Sequence, residues 1–388
     1  MQEHNSLIET PNCPVGTRPG GLMTCYQNPI ITRDHIPIHW RYDLDPERNP
    51  LLLERLGINA TYNAGAIEFD GKIVMMVRVE EYSRKSIFAL AESENGIDNF
   101  RFIGEPLIID QTDSPETNIY DPRLVLHEDG WIYAIFCAER KDHSAGESDT
   151  ETAIASAGIA RSKDMKTWER LADLKTPSPQ QRNAVLHPEF VDGKYAFYTR
   201  PQDGFIGAGS GGGIGWGLCD NIEKAEITDE IIIDSRIYHT IKESKNGLGP
   251  APIKTDRGWL HLAHGVRNSA SGLRYTLYSF LTDLDQPWKV IAAPGGYLLS
   301  PRGSERCGDV FNVVFSNGWV AKDNGDILLY YASSDQRMHI ATTTVEKMLD
   351  YVINTPADPG TSYECSKLRA DLVRRNEQYL KDHPELQL

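Results

Sequence analysis

The chain has 388 residues, 40% hydrophobic and 24% charged, with a formal net charge of −15 that repels nucleic acid and anionic membranes at long range and excludes both as partners. No run is apolar for the roughly 20 residues that cross a bilayer, and Met1 to Asn12 lacks the basic start and apolar core of a secretion signal. Six scattered cysteines with no C-x-x-C pair read as free thiols, so a soluble protein of the reducing cytoplasm is expected.

Residues 1–57 read as an extension: a Pro- and Gly-rich lead-in, then Asp45 to Gly57, whose Asp cap and closing Gly predict a short helix. From 58 to 342 one unit recurs five times, an apolar run answered across a tight turn by a second apolar run. The turn glycines Gly71, Gly130, Gly193, Gly258 and Gly325 are spaced 59, 63, 65 and 67 residues apart, a period that marks stacked or radial repeats. Further strands between the hairpins, such as 86–93 and 153–162, raise the count to about four strands per period. That count fits propeller blades, whereas a β-helix has a much shorter period and leucine-rich or ankyrin arrays need helices. Beyond the repeats, 344–353 and 366–380 have helical spacing, the latter with Leu368, Leu372 and Leu380 on one stripe. The expected fold is all-β: a five-bladed β-propeller with an N-terminal extension and a C-terminal helical segment, 343–388, packing on the propeller or on a neighbouring subunit.

In an antiparallel hairpin the start of the first strand and the end of the second are neighbours, at the edge opposite the turn. Asn63, Asp121, Arg182 and Lys245 lie at or before first-strand starts, and Arg78, Arg140, Arg200, His264 and Asp335 lie at or beyond second-strand ends. Radial repeats bring all of them to one axial face. The stretch Gly207 to Gly215 contains G-x-G-x-x-G but continues as strand rather than opening a helix, so it is read as a loop that lets backbone approach a ligand, or as a plain connector, and not as a dinucleotide site. His261 and His264 fall on opposite faces of a strand, and no H-E-x-x-H occurs, so no metal is expected. Asp121 precedes Pro122, which biases it to an extended backbone. Taken singly, the basic residues Arg78, Arg84, Arg140, Arg182, Arg200 and Lys245 are ordinary surface charges, but several converging in so acidic a chain make an oxyanion site.

The chain resembles glycoside hydrolase family 130, inverting β-mannoside phosphorylases built on a five-bladed propeller. The likeness runs over essentially the whole length. Its marks are Asn63 through Arg78 and Arg84, Tyr120-Asp121-Pro122-Arg123, Arg182 through His187-Pro188-Glu189, Tyr198 to Pro201, Lys245 before Gly-Leu-Gly-Pro, Ala263-His264-Gly265, Glu305 before Asn312 to Phe315, and Tyr330 to Asp335. Where many members read Tyr-Tyr-Gly-Ala-Ala-Asp, this chain has Tyr-Tyr-Ala-Ser-Ser-Asp, which keeps Asp335. The resemblance implies that Asp121 is the proton donor, acting through the mannose 3-hydroxyl. It implies that Arg182, Arg200, Lys245 and Tyr275 hold phosphate, with His264 and Arg140 beside them, and that Asn63, Arg78, Arg84, Glu305 and Asp335 grip sugar hydroxyls, with Tyr120 and Arg123 flanking the acid.

An inverting hydrolase needs a second carboxylate to activate water, whereas a phosphorylase replaces it with a cationic cradle for phosphate, which is already nucleophilic. One prominent Asp with a basic cluster therefore points to phosphorolysis. Within that family the long extension and the glycine loop resemble the members that act on 4-O-β-D-mannosyl-D-glucose, which implies that substrate, giving α-D-mannose 1-phosphate and D-glucose, with phosphate as co-substrate, no cofactor, and a homo-oligomeric enzyme. The alternatives are another acceptor (a β-1,4-mannooligosaccharide or mannosyl-N-acetylglucosamine), an inverting β-mannosidase using Glu189, Glu305 or Asp309 as base, and a non-catalytic propeller that binds glycans or proteins.

Overall fold

The structure, a computed structural model, describes residues 2–18, 20–146 and 148–386. Five antiparallel sheets are arranged as the blades of a propeller. Blade 1 runs Ile58–Phe69, Lys72–Glu81, Ser86–Ser93 and Arg101–Leu107, and blade 2 runs Asn118–Leu126, Ile132–Lys141, Ala153–Ser162 and Glu169–Arg170. Blade 3 follows with Val185–Leu186, Tyr195–Thr199, Ile214–Cys219 and Ile231–Asp234. In blade 4 the innermost strand is broken into Lys245–Leu248 and Ile253–Thr255, both paired to Gly258–Ser269, with Gly272–Thr282 and Val290–Ala292 outside.

Blade 5 departs from the expected boundary. Val314–Ala321, Asp326–Ser333 and Arg337–Thr344 are joined by Thr24–Tyr26 and Pro14–Thr17, so the extension supplies the two outer strands of the last sheet. The expected helix at 45–57 is also absent. Pro50 would clash with the carbonyl four residues back, and Asn49 instead captures backbone, donating to the Asp43 and Leu53 carbonyls and accepting from the Leu53 amide. The helices of the extension are Gln2–Glu9 and the single turn Ile38–Arg41.

The hairpin turns form because Asp and Gly tolerate left-handed backbone: Asp70 and Gly71 have φ 50° and 76°, Asp192 and Gly193 53° and 73°. Among the described residues the apolar side chains gather in five large clusters, one between each pair of adjacent blades, with a sixth, small one of Tyr120, Cys137 and Ala155 within blade 2, and the cluster joining blades 5 and 1 closes the ring. Middle strands are thus covered on both faces, which is why Ile73 to Val77 reads as an unbroken apolar run. At the C-terminus, Val345–Asn354 buries Met348 and Val352 against blades 4 and 5, whereas the 21-residue helix Ser362–Asp382 buries nothing. Among the described residues no helix is long and apolar enough to cross a membrane.

Candidate active site

The site begins with a repeated irregularity. The innermost strands of blades 1, 2 and 5 each bulge at the same depth, between Tyr62 and Gly65, Tyr120 and Arg123, and Phe315 and Gly318. Each bulge turns a polar residue toward the axis: Asn63, Asp121 and Asn317. Asp121 is not extended as its following proline suggested. It has φ 58°, and Asn63 and Asp335 have 48° and 53°. Left-handed backbone at non-glycine residues is strained and concentrates at functional sites, where the surrounding packing enforces it.

Asp121 Oδ1 accepts from Asn63 Nδ2 at 2.9 Å and from Arg78 Nη1 at 3.0 Å. Arg78 is itself fixed. It donates through Nε to Ser86 and through Nη2 to Glu80, and its guanidinium lies 4.3 Å from the Tyr62 ring centroid and 4.7 Å from that of Tyr120. Asp335, on the turn after Asp326–Ser333, shares this environment. Burial pushes its carboxyl up to about 7, Arg78 opposes the shift, and Asp121, Glu80 and Asp309 add to it.

Across the axis stand Arg182, Arg200 and Lys245. Arg182 donates to the Phe205 carbonyl at 3.0 Å and to the Tyr120 hydroxyl at 3.1 Å, with the Phe205 ring 4.1 Å below it. Arg200 is buried, meets His264 Nε2 at 3.3 Å, and keeps a buried Nε with no partner. Burial and then Arg182 bring its pKa down to about 10. Lys245 is brought down to about 7 by burial, then by Arg200 and Arg182. Among the described residues none of these three cations has an ion-pair partner, although the same face is rich in carboxylates. Two buried cations and a half-buried third, without a counterion among the described residues, form a preorganised anion site. Burial raises the Tyr275 hydroxyl pKa; Arg200 and Arg182 oppose this while Asp335 and Asp121 reinforce it, which puts the phenol between the cations and the acids. His264 stacks on Tyr275 and is held neutral by burial and by Arg200. Gly247 leaves it room, since a Cβ there would lie 2.9 Å from its ring.

Three of the expected site residues have their side chains engaged by protein groups, and a fourth is exposed. Arg140 spends its guanidinium on Glu116, Asp173, Thr112 and the Ser114 carbonyl, so it is an ion-pair residue of blade 2 rather than a phosphate ligand. Arg123 is buried and donates to the carbonyls of Gly249 and Asp121 and to Asn183 Oδ1 at 2.9, 2.9 and 2.7 Å, tying blade 2 to blades 3 and 4 beneath the acid. Glu305 is engaged by Arg18, the Tyr331 hydroxyl and the Arg302 amide. Arg84 sits on the exposed turn after Lys72–Glu81, at the rim. Of the alternative bases, Glu189 pairs with Lys254 at the turn end of the blades, and Asp309 is exposed and bonded to Asn59.

Glu80, Tyr62 and Phe205 escaped the sequence reading. Glu80 lies two residues from Arg78 on one strand, hence on the same face, a period-two signal that was available. Phe205 reaches Arg182 from the loop between Tyr195–Thr199 and Ile214–Cys219, which has no sequence periodicity. The glycine stretch in that loop is folded closely on itself, with Ser210 bonded to Asp203 and the Gly212 amide to the Pro201 carbonyl.

Glycoside hydrolase family 130, described as β-1,4-mannooligosaccharide phosphorylase, matches residues 28–354. A 4-O-β-D-mannosyl-D-glucose phosphorylase of Bacteroides fragilis is 59% identical over 97% of this chain and 96% of its own. A β-1,4-mannooligosaccharide phosphorylase of Ruminococcus albus is 29% identical over 81% of this chain and 90% of its own. The solved β-1,2-mannobiose phosphorylase of Listeria innocua superposes with a TM-score of 0.67 at 19% identity, over 84% of this chain and 97% of that one, which shows the fold.

Proposed function

The chain belongs to glycoside hydrolase family 130, and on that footing we propose that it cleaves 4-O-β-D-mannosyl-D-glucose with inorganic phosphate, releasing α-D-mannose 1-phosphate and D-glucose. One observation carries the reaction type: the unpaired trio Arg182, Arg200 and Lys245 stands across the axis from Asp121, where a hydrolase would place a base. A phosphate oxygen held by the trio attacks the anomeric carbon, the bond to the glucose oxygen breaks, and Asp121 supplies the proton that oxygen takes. Tyr275 and His264 complete the phosphate wall. Asn63, Arg78 and Asp335 orient the mannose, and no cofactor takes part.

Incubation of the protein with mannosylglucose, with and without phosphate, tests this directly. Glucose and mannose 1-phosphate are expected only with phosphate. Equal sugar release in both would establish a β-mannosidase instead.

Lys245 gives the phosphate step a pH signature. Its pKa near 7 means that the ammonium is lost as pH rises through that value, just where an anion would need it. The phosphate KM is therefore expected to climb above pH 7, and to climb less in Lys245→Arg, which stays charged. The second ionisation of phosphate is common to both enzymes and cancels in the ratio. Parallel pH profiles would remove Lys245 from the site.

The protein works as a homo-oligomer in the cytoplasm. The support for the oligomer is the helix Ser362–Asp382, which leaves Leu368, Leu372, Val373 and Tyr379 between 37% and 55% exposed, too much apolar surface for a long helix standing in water, and the support for the compartment is the free cysteines. Light scattering is expected to return a multiple of the chain mass; a monomer would overturn this.

A further inference from the structure

Lys245 is held where burial and two neighbouring cations, Arg200 and Arg182, disfavour its charge, so something must hold its backbone. Both flanking residues are pinned by one segment, the tail of the outermost strand of blade 3. On one side, Arg236 Nη1 donates to the Ser244 carbonyl at 3.3 Å, while its Nη2 reaches the Gly209 carbonyl of the glycine loop at 2.8 Å. On the other, the fully buried Asn246 donates from Nδ2 to Asp234 Oδ2 at 3.0 Å, to the Asp234 carbonyl at 3.1 Å and to the Tyr278 hydroxyl at 2.9 Å. The Tyr278 hydroxyl donates to the same Asp234 oxygen at 2.6 Å, and Lys242 neutralises the other. The Asn246 amide donates to the Gly212 carbonyl at 2.8 Å, so the glycine loop is fastened to the same strand.

We propose that Asp234, with Tyr278 and Asn246, is a positioning device for the phosphate site: it fixes the start of the Lys245–Leu248 strand so that Lys245 faces Arg182 and Arg200 before phosphate arrives. The proposal rests on the reading of those three cations as the phosphate cradle. None of the three positioning residues is assigned a contact with the substrate. Their effect passes through the backbone on either side of one lysine, so it falls on phosphate rather than on mannoside. Preorganisation of this kind spares the ligand the cost of gathering repelling charges.

The test is steady-state kinetics on Asp234→Ala, Asp234→Asn and Tyr278→Phe, with Lys245→Ala as reference. Asp234→Ala is expected to raise the phosphate KM about tenfold, with the mannosylglucose KM and the turnover at saturating phosphate within about twofold. Asp234→Asn keeps an acceptor for the Tyr278 hydroxyl and is expected to recover most of the loss. Tyr278→Phe deletes a single oxygen and reads the same effect, smaller, should Asp234→Ala not fold. Equal movement of both KM values, or an unchanged phosphate KM in folded variants while Lys245→Ala raises it, would overturn the positioning role alone. An unchanged phosphate KM in Lys245→Ala would overturn the cradle itself.

Discussion

Asp121→Asn is expected to lower turnover of mannosylglucose by about 10²–10⁴-fold, the usual worth of a positioned general acid. The fold should survive. The amide oxygen that replaces Oδ1 still accepts from Asn63 and Arg78, Arg78 keeps Glu80, and asparagine tolerates the positive φ of this position. The loss should shrink for an aryl β-mannoside whose leaving group departs without a proton, because only protonation of the departing oxygen has been removed. Matched thermal melts with kcat measured on both substrates check this. Near-normal turnover of the disaccharide would unseat Asp121 as the acid.

The next largest effect is expected from Arg200→Ala: a fall of about 10- to 100-fold in kcat/KM for phosphate, the range of one or two charge-assisted hydrogen bonds. Arg200 contributes more than its charge. Its orientation is set from behind, by its own amide donating to Gln181 Oε1 and by the contact with neutral His264, so the guanidinium is aimed before the ligand enters. Arg200→Lys should recover little, since an ammonium cannot present two parallel donors. The mannoside KM, measured at saturating phosphate, should move much less. A proportional rise in both would mean that the substitution had loosened the whole site rather than emptied one half of it.

The propeller was legible because its signal repeats: five apolar hairpins at a near-constant period leave few architectures, and the Asp-Gly turns fix which ends of the strands face the ligand. Strands 14–17 and 24–26 were not legible, being three or four residues long and given their sheet only by an edge more than 300 residues away. The convergence of Asn63, Asp121, Arg182, Arg200 and Lys245 followed from hairpin geometry plus radial order. That same rule placed Arg140 with them, and only the three-dimensional proximity of Glu116 and Asp173, from a loop and a blade edge, diverts it. Ownership of a charge is a tertiary property. Arg123 illustrates the reverse case: its motif position beside the acid reads as ligand contact, yet all three of its guanidinium nitrogens are taken by protein acceptors.

Because the first strands of the chain complete the last sheet, residues 14–26 can pair with each other but have no sheet edge to join until the strand 337–344 has left the ribosome. For nearly the whole of synthesis the nascent protein is an open arc, and Asp335 is missing from the pocket that Asn63 and Asp121 have begun to form. Competence should thus arrive in one late step, when tail meets head, leaving no half-built arc able to handle sugar.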